Sequence, residues 1–298
     1  MRSETIDLDG PVHVADFGGS GAPMVLVHGL GGSHVNWLAV GPRLAEHFQV
    51  TAPDLAGFGL TAPEGRSSSV EANAELLTAY LVRIGRPVVL VGNSMGGLIS
   101  MMVASRRPSL VQGLVLVDPA LPRPITMRPD FAITAAFATY TVPGLGEMYV
   151  RRRAQRLGSE GMVRETFKLC TVDINRIPRD VYDAHVQLAL ERRQFPWPLE
   201  SYLEAARSLL NVLRKRRACE AMMHSISAPT LLIQGAQDRL VPVAAARLAA
   251  RMNPSWRLEV YDDIGHTPQL EAPERFVDSV LRFTSGAAVE VEPAEAAG

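Results

Sequence analysis

The sequence predicts an α/β fold: a mostly parallel, doubly wound sheet of about eight strands that carries an inserted helical cap. Three observations predict it. Near-continuous apolar runs at 24–28 (MVLVH), 50–52, 88–91, 114–117 and 231–234 suit strands buried on both faces of a parallel sheet. Helical patterns separate these runs, and strand–helix alternation is the mark of successive βαβ units. The alternation stops once, between 122 and 227, where helix patterns broken by prolines take the place of strands.

The elements follow in order. Segments 4–8 and 12–17 alternate apolar and polar residues and read as an antiparallel hairpin at the sheet edge. Gly18, Gly19 and Gly21 make a turn, because the next strand leads to His28-Gly29 and not to a phosphate-binding helix start. Residues 70–84 carry their apolar side chains on one helical face. A helix over 98–104 follows Ser94, another over 244–252 follows Pro242, and one over 276–283 closes the fold. The insertion is expected to hold helices near 127–140, 160–170, 180–193 and 200–217. The domain reading is therefore core at 1–121, cap at 122–227, core again at 228–285, and an unstructured tail at 286–298 (GAAVEVEPAEAAG).

Composition narrows the function classes. The 298 residues are 47% hydrophobic and 20% charged, with a formal net charge of −1, ordinary for a globular protein and no footprint for nucleic acid. The charge is uneven. The insertion holds 17 Lys and Arg against 11 Asp and Glu, while the remainder holds 13 against 20. Arg151-Arg152-Arg153 and the 214–217 run supply much of that excess, which reads as a solvated helix face or as a mild preference for an anionic group. Cys170 and Cys219 are too few for a disulfide framework and read as free thiols. The opening MRSETIDLDG lacks a signal-peptide core, and no apolar run is long enough to cross a bilayer. The expectation is a cytoplasmic protein with a small-molecule partner, no nucleic acid and no stable membrane insertion, with a homodimer left open. HExxH, paired CxxC and GxxxxGK[ST] are all missing, and no metal or cofactor is expected.

The chemistry starts at VVLVGNSMGG. Gly92-Asn93-Ser94-Met95-Gly96 fits G-x-S-x-G between a strand and a helix, the pattern of a nucleophile elbow. The serine has to occupy a strained turn so that its Oγ clears the sheet, and side chains at 92 or 96 would strike neighbouring backbone. A serine hydroxyl needs a base, and the base needs an orienting acid. On such a sheet the chain order is Ser, acid, His. His266, in VYDDIGHTPQLE after the last strand, is the candidate base. His13 and His47 read as surface positions, His185 and His224 lie in the insertion, and His34 precedes the nucleophile. Asp238, in LLIQGAQDRLVP, is the candidate acid; Asp118, ending the strand in LVLVDPA, is the alternative. Asp262 and Asp263 read as solvated. The oxyanion requires two backbone donors, for which the N–H groups of Met95 and of Leu30 in His28-Gly29-Leu30-Gly31-Gly32 are the candidates. His28 is expected to brace that loop.

HGLGG, APDLAGFG, VGNSMGG, LVLVDPA, GAQDRLVP and GHTPQLEAPERF together resemble the α/β-hydrolase superfamily, over 4–121 and 228–283. The resemblance implies Ser94, Asp238 and His266 as triad, Leu30 and Met95 as oxyanion donors, Gly29, Gly92 and Gly96 as loop and elbow supports, and the insertion as cap. Epoxide hydrolases and haloalkane dehalogenases of this fold carry aspartate at the apex, where this chain has Ser94. Carbon–carbon bond hydrolases of aromatic degradation resemble the chain at GNSMGG but typically follow the histidine with tryptophan, where this chain has Thr267. Cofactor-free haloperoxidases usually place an aromatic residue at Leu30. The reading is a serine carboxylic-ester hydrolase acting through an acyl-enzyme on small to medium, apolar acyl esters. Carbon–carbon bond hydrolysis of ring-fission products is the alternative, ahead of a haloperoxidase- or perhydrolase-like member and a ligand-binding non-enzyme. Met127, Phe131, Phe137 and Met148 either line an acyl pocket or pack cap helices; helical spacing favours packing.

Overall fold

The computed structural model describes residues 1–124 and 131–287, without the side chains of 131–134, 136 and 287. Eight strands form one sheet: β1 (Arg2–Asp7), β2 (Pro11–Gly18), β3 (Pro23–Val27), β4 (Gln49–Pro53), β5 (Val88–Asn93), β6 (Val111–Val117), β7 (Thr230–Gly235) and β8 (Arg257–Tyr261). Their spatial order is β1-β2-β4-β3-β5-β6-β7-β8. β1 and β2 form the expected antiparallel hairpin, β2 runs antiparallel to β4, and every pairing from β4 to β8 is parallel.

The parallel strands are buried on both sides because alternate residues serve two separate cores. Val25, Val27, Leu90, Leu114, Leu116 and Leu232 point into one core. Met24, Leu26, Val89, Val91, Val115, Val117, Leu231 and Ile233 point into the other. A period of two with both faces apolar leaves no polar position, hence the unbroken runs in the sequence. On the first face lie α2 (Val70–Ile84), α3 (Met95–Arg106) and α9 (Val243–Met252). On the second lie the short α1 (Gly41–Leu44) and α11 (Pro273–Ala287), with Trp37 and Phe276 between them. α2 starts where Ser69 Oγ accepts from the Ala72 N–H and stops at Gly85, whose φ of 73° only glycine adopts cheaply. α11 runs two residues beyond the expected end of the core at 285; residues 288–298 lie outside those described. β8 is the strand with the weakest sequence signal: RLEVY is an edge strand with only Tyr261 fully buried.

Between β6 and β7 come α4 (Phe131–Thr141), α5 (Leu145–Cys170), α6 (Arg179–Glu191), α7 (Pro198–Arg214) and α8 (Arg216–His224). α5 breaks at Gly158, where φ is 66° and ψ −177°. Two small cores seat these helices. Tyr140, Leu203 and Ala206 pack together beside Leu30, and Phe167, Ile177 and Val181 pack on Leu270 of α10 (Pro268–Glu271). Glu204 of α7 accepts from Ser67 Oγ (2.5 Å) and the Ser68 N–H (3.0 Å), fixing the insertion to the start of α2. Phe137 packs edge-on against Tyr140 at 5.6 Å and Met148 is exposed; Met127 and the Phe131 side chain lie outside the described residues. No helix among the described residues is long and apolar enough to cross a membrane.

Candidate active site

The winding direction of the chain reverses at β3. From β3 it passes to β4 on one side and then to β5 on the other. The carboxyl ends of β3 and β5 therefore diverge at a topological switch point, where open α/β sheets hold their sites. The HGLGG loop leaves β3 there, and Ser94 follows β5.

Ser94 has φ 55° and ψ −118°, a conformation a non-glycine residue holds only when its surroundings force it. The forcing is visible. The Ser94 N–H donates to Val117 O at 3.0 Å, its carbonyl accepts from the Ala120 N–H at 2.9 Å, and α3 begins at the next residue. A Cβ at position 92 would stand 2.5 Å from Gly96 O, and one at position 96 would stand 2.3 Å from Val27 O. Both glycines are sterically required. Ser94 is half-buried while Asn93 and Met95 are buried, so the apex is the accessible part of the turn. Met95, the first residue of α3, has an N–H with no intrahelical acceptor. A Cβ at Gly29 would touch Ser94 Cβ at 3.0 Å, which sets the HGLGG loop directly against Ser94.

His28 braces that loop, as expected. Its Nδ1 bonds Gly29 O at 2.8 Å and its Nε2 accepts from the Leu55 N–H at 3.1 Å. Full burial pushes its pKa down to about 4, so it is neutral. His13, expected at the surface, is instead buried. Its Nδ1 and that of His34 both meet Asp54 Oδ2 at 2.9 Å, and Asp54 Oδ1 accepts from the His34 N–H at 2.7 Å. Burial alone would raise the Asp54 pKa; the two imidazoles hold it far below the carboxylate range. β2 is buried continuously from Val12 to Ala15, so the polar position between Val12 and Val14 lies inside as well.

His266 and Asp238 meet at 2.6 Å, Nδ1 to Oδ2, both buried. A carboxylate only accepts, so Nδ1 carries the proton and Nε2 is left as a free acceptor. The Asp238 Oδ1 atom accepts from the Leu240 and Val241 N–H groups at 2.7 and 3.0 Å. Asp118, the alternative acid, lies behind this pair. It is fully buried, with φ 42°, and its Oδ1 accepts from Gln234 Nε2 (2.7 Å) and the Gly235 N–H (2.9 Å). Its Oδ2 receives no hydrogen bond, and carboxylate oxygens of Asp118 and Asp238 and an imidazole nitrogen of His266 fall within 4.8 Å of one another. Burial, then the negative charge of Asp238, push the Asp118 carboxyl well above its usual range. Gln234 Nε2 also reaches Asp238 Oδ2 at 3.2 Å and so bridges the two acids. Asp262 and Asp263 are exposed, as expected.

Three residues that hold the site escaped sequence reasoning. Asn93 Nδ2 donates to Val117 O (3.0 Å) and His266 O (3.2 Å), tying the elbow to the histidine loop. Glu271 accepts from the Gly265 N–H (2.8 Å) on that loop and from the Val172 (2.8 Å) and Asp173 (3.3 Å) N–H groups at the end of α5. The His266 N–H adds a bond to Cys170 O at 2.6 Å. Arg192 lies over the loop after β4. Its Nη2 makes one 3.4 Å bond to Gly57 O, and its Nε is buried without an acceptor. Two His-and-carboxylate groups, His13-His34-Asp54 and Asp118-Asp238-His266, have donor atoms close enough to share an ion. In both, the imidazole Nδ1 facing the carboxylate is engaged in hydrogen bonding at 2.6–2.9 Å.

Comparison with known proteins agrees with this architecture. The chain is 31% identical over 278 residues to the 2-hydroxy-6-oxo-2,4-heptadienoate hydrolase of Pseudomonas putida, covering 89% of this chain and 90% of that one. It is 26% identical to a thermophilic esterase from Thermogutta terrifontis, with a TM-score of 0.71 over 96% of this chain and 99% of the other. The haloalkane dehalogenase DbeA from Bradyrhizobium elkani, 23% identical, shares the fold with a TM-score of 0.79 over 97% and 99% of the two chains. The model of the alpha/beta hydrolase family matches residues 24–279, and the chain belongs to that family.

Proposed function

We propose that this hydrolase cleaves carboxylic esters through an acyl-enzyme formed on Ser94. The observation that carries the reading is the 2.6 Å bond from His266 Nδ1 to Asp238, on a loop that Asn93 ties to the strained Ser94 turn. Ser94 Oγ attacks the carbonyl carbon as His266 Nε2 takes its proton. Asp238 holds the tautomer and stabilises the imidazolium. The Met95 and Leu30 N–H groups receive the oxyanion. His266 then protonates the leaving alcohol, and a water activated by the same nitrogen releases the acid. Neither metal nor cofactor takes part in this scheme. Labelling of Ser94 by a fluorophosphonate, and turnover across p-nitrophenyl esters of rising chain length, test it. Ser94→Ala and His266→Ala should each lower kcat by on the order of 10⁶, and the double variant by little more. Multiplicative losses would refute a concerted triad.

Arg192 favours a second reading within the same family. A guanidinium whose Nε is buried without an acceptor, bound only by a long bond to Gly57 O, gains from an anionic substrate group. Dienoate ring-fission products carry such a carboxylate, and the Pseudomonas putida relative hydrolyses a dienoate by its name. Assaying a ring-fission product beside the ester panel separates the two. In the second reading Arg192→Gln raises KM for that substrate and leaves short neutral esters unaffected.

A further inference from the structure

Three of the exposed large hydrophobic residues fall within seven positions: Val142 (46% exposed), Leu145 (39%) and Met148 (42%). They form the tip of the helical hairpin made by α4 and the start of α5. From 131 to 159 the only acidic residue is Glu147, and it is engaged by Arg207 at 2.9 Å. Arg151, Arg152, Arg153 and Arg156 follow within three turns. The ion pairs within α5 lie beyond its kink, at Glu160–Arg164 and Glu165–Lys168, and among the described residues the four arginines take part in none.

The spacing organises these residues. Leu145, Met148, Arg152 and Arg156 stand at i, i+3, i+7 and i+11, on one side of the helix. Arg151, Arg152 and Arg156 are exposed and Arg153 half-buried. An uncharged tip backed by unpaired arginines is the pattern of a segment lying in a bilayer interface: apolar side chains enter the acyl boundary while guanidinium groups reach anionic head groups. Packing alone would place the apolar residues inward, and a solvated face would carry acids among the arginines.

From these features we infer that the α4–α5 tip docks peripherally on an anionic lipid surface. The surface is connected to the site. Tyr140, at the end of α4, meets the Tyr202 ring edge-on at 5.6 Å, and a Cβ at Gly31 of the HGLGG loop would touch that ring at 3.2 Å. A docked tip is thus coupled through Tyr140 and Tyr202 to the HGLGG loop beside Ser94. The docking is independent of which bond the enzyme breaks.

The test is vesicle sedimentation of the intact protein, with phosphatidylcholine vesicles that contain or lack phosphatidylglycerol. Binding is expected only with the anionic lipid and should weaken as salt rises. The triple variant Arg151→Gln/Arg152→Gln/Arg156→Gln should partition about a hundredfold more weakly. Leu145→Ser/Met148→Ser should lose on the order of tenfold. Lysine at the three arginine positions should restore binding, and hydrolysis of a water-soluble substrate should be unchanged in all variants. Equal binding to both vesicle types, no binding to either, or arginine variants that bind like the parent would overturn the inference. So would a dimer in gel filtration that Leu145→Ser dissociates, because the tip would then be an interface between two copies. Should the serine variants misfold, the exposed arginines still decide the question.

Discussion

Replacing each of the two buried acids by its amide separates their roles. In Asp238→Asn the side-chain oxygen has two possible positions. Facing Leu240 and Val241, it keeps the two backbone donors now at 2.7 and 3.0 Å. Those donors are fixed in the chain and cannot turn away, so the oxygen stays there and the new NH₂ faces His266. That NH₂ must donate to Nδ1, which moves the ring proton to Nε2, the atom that receives the Ser94 proton in the proposed mechanism. The loss should be on the order of 10⁴ in kcat, about 5.5 kcal/mol of barrier. Asp118→Asn is different. Its oxygen can still accept from Gln234 and Gly235, where Oδ1 now does at 2.7 and 2.9 Å, and its NH₂ can donate toward Asp238. A protonated Asp118 presents the same groups, and burial beside the Asp238 charge shifts its carboxyl in that direction. Asp118→Asn should therefore stay within about threefold of the parent at neutral pH. The assay is kcat on a soluble ester across the pH range, with fluorophosphonate labelling rates as a substrate-independent check. If Asp238→Asn is nearly silent and Asp118→Asn is crippled, the acid is Asp118 and the reasoning from the 2.6 Å contact fails.

Other perturbations follow from the same geometry. Gly96→Ala sets a Cβ 2.3 Å from Val27 O and 2.4 Å from His28 O, both backbone atoms, and should cost about 3 kcal/mol and lower Tm by roughly 6–12 °C in calorimetry. Glu271→Ala removes the acceptor of three N–H groups and should cost about 2–3 kcal/mol in urea unfolding, with kcat falling more than KM changes because the His266 loop loosens; an unchanged kcat would show that the loop holds itself. His28 has a folded pKa of about 4 against 6.5 when free, so only the unfolded chain gains the proton at intermediate pH. Its neutral form stabilises the fold fully above pH 6.5, and about 3 kcal/mol is lost as pH falls towards 4. His28→Asn should flatten the pH dependence of the urea midpoint over that window; an unaltered slope would place the titration elsewhere.

The parts of the fold legible in the sequence are those where one physical requirement fills a whole segment. β3, β5, β6 and β7 are buried on both faces, so nearly every residue is apolar and the strands read directly. The elbow was legible because two steric demands, at Gly92 and Gly96, flank the strained turn at Ser94. β8 was faint because an edge strand buries few of its residues. The supporting residues were hidden for another reason. Asn93, Glu271 and Gln234 act through single side chains whose partners lie far along the chain: 173 residues separate Asn93 from His266, and 116 separate Gln234 from Asp118. No periodicity announces such a bond. The choice between Asp238 and Asp118 shows the limit most clearly. Asp118 directly follows β6, Asp238 lies in the turn after β7, both are buried, and both fall between Ser94 and His266 in the chain. What separates them is the turn after β7, in which the Leu240 and Val241 N–H groups fasten one Asp238 oxygen and so aim the other at His266. Asp118 spends one oxygen on Gln234 and Gly235, and its other oxygen receives no hydrogen bond. An acid orients a histidine only when its remaining valences are already committed, and that commitment is a property of the folded turn.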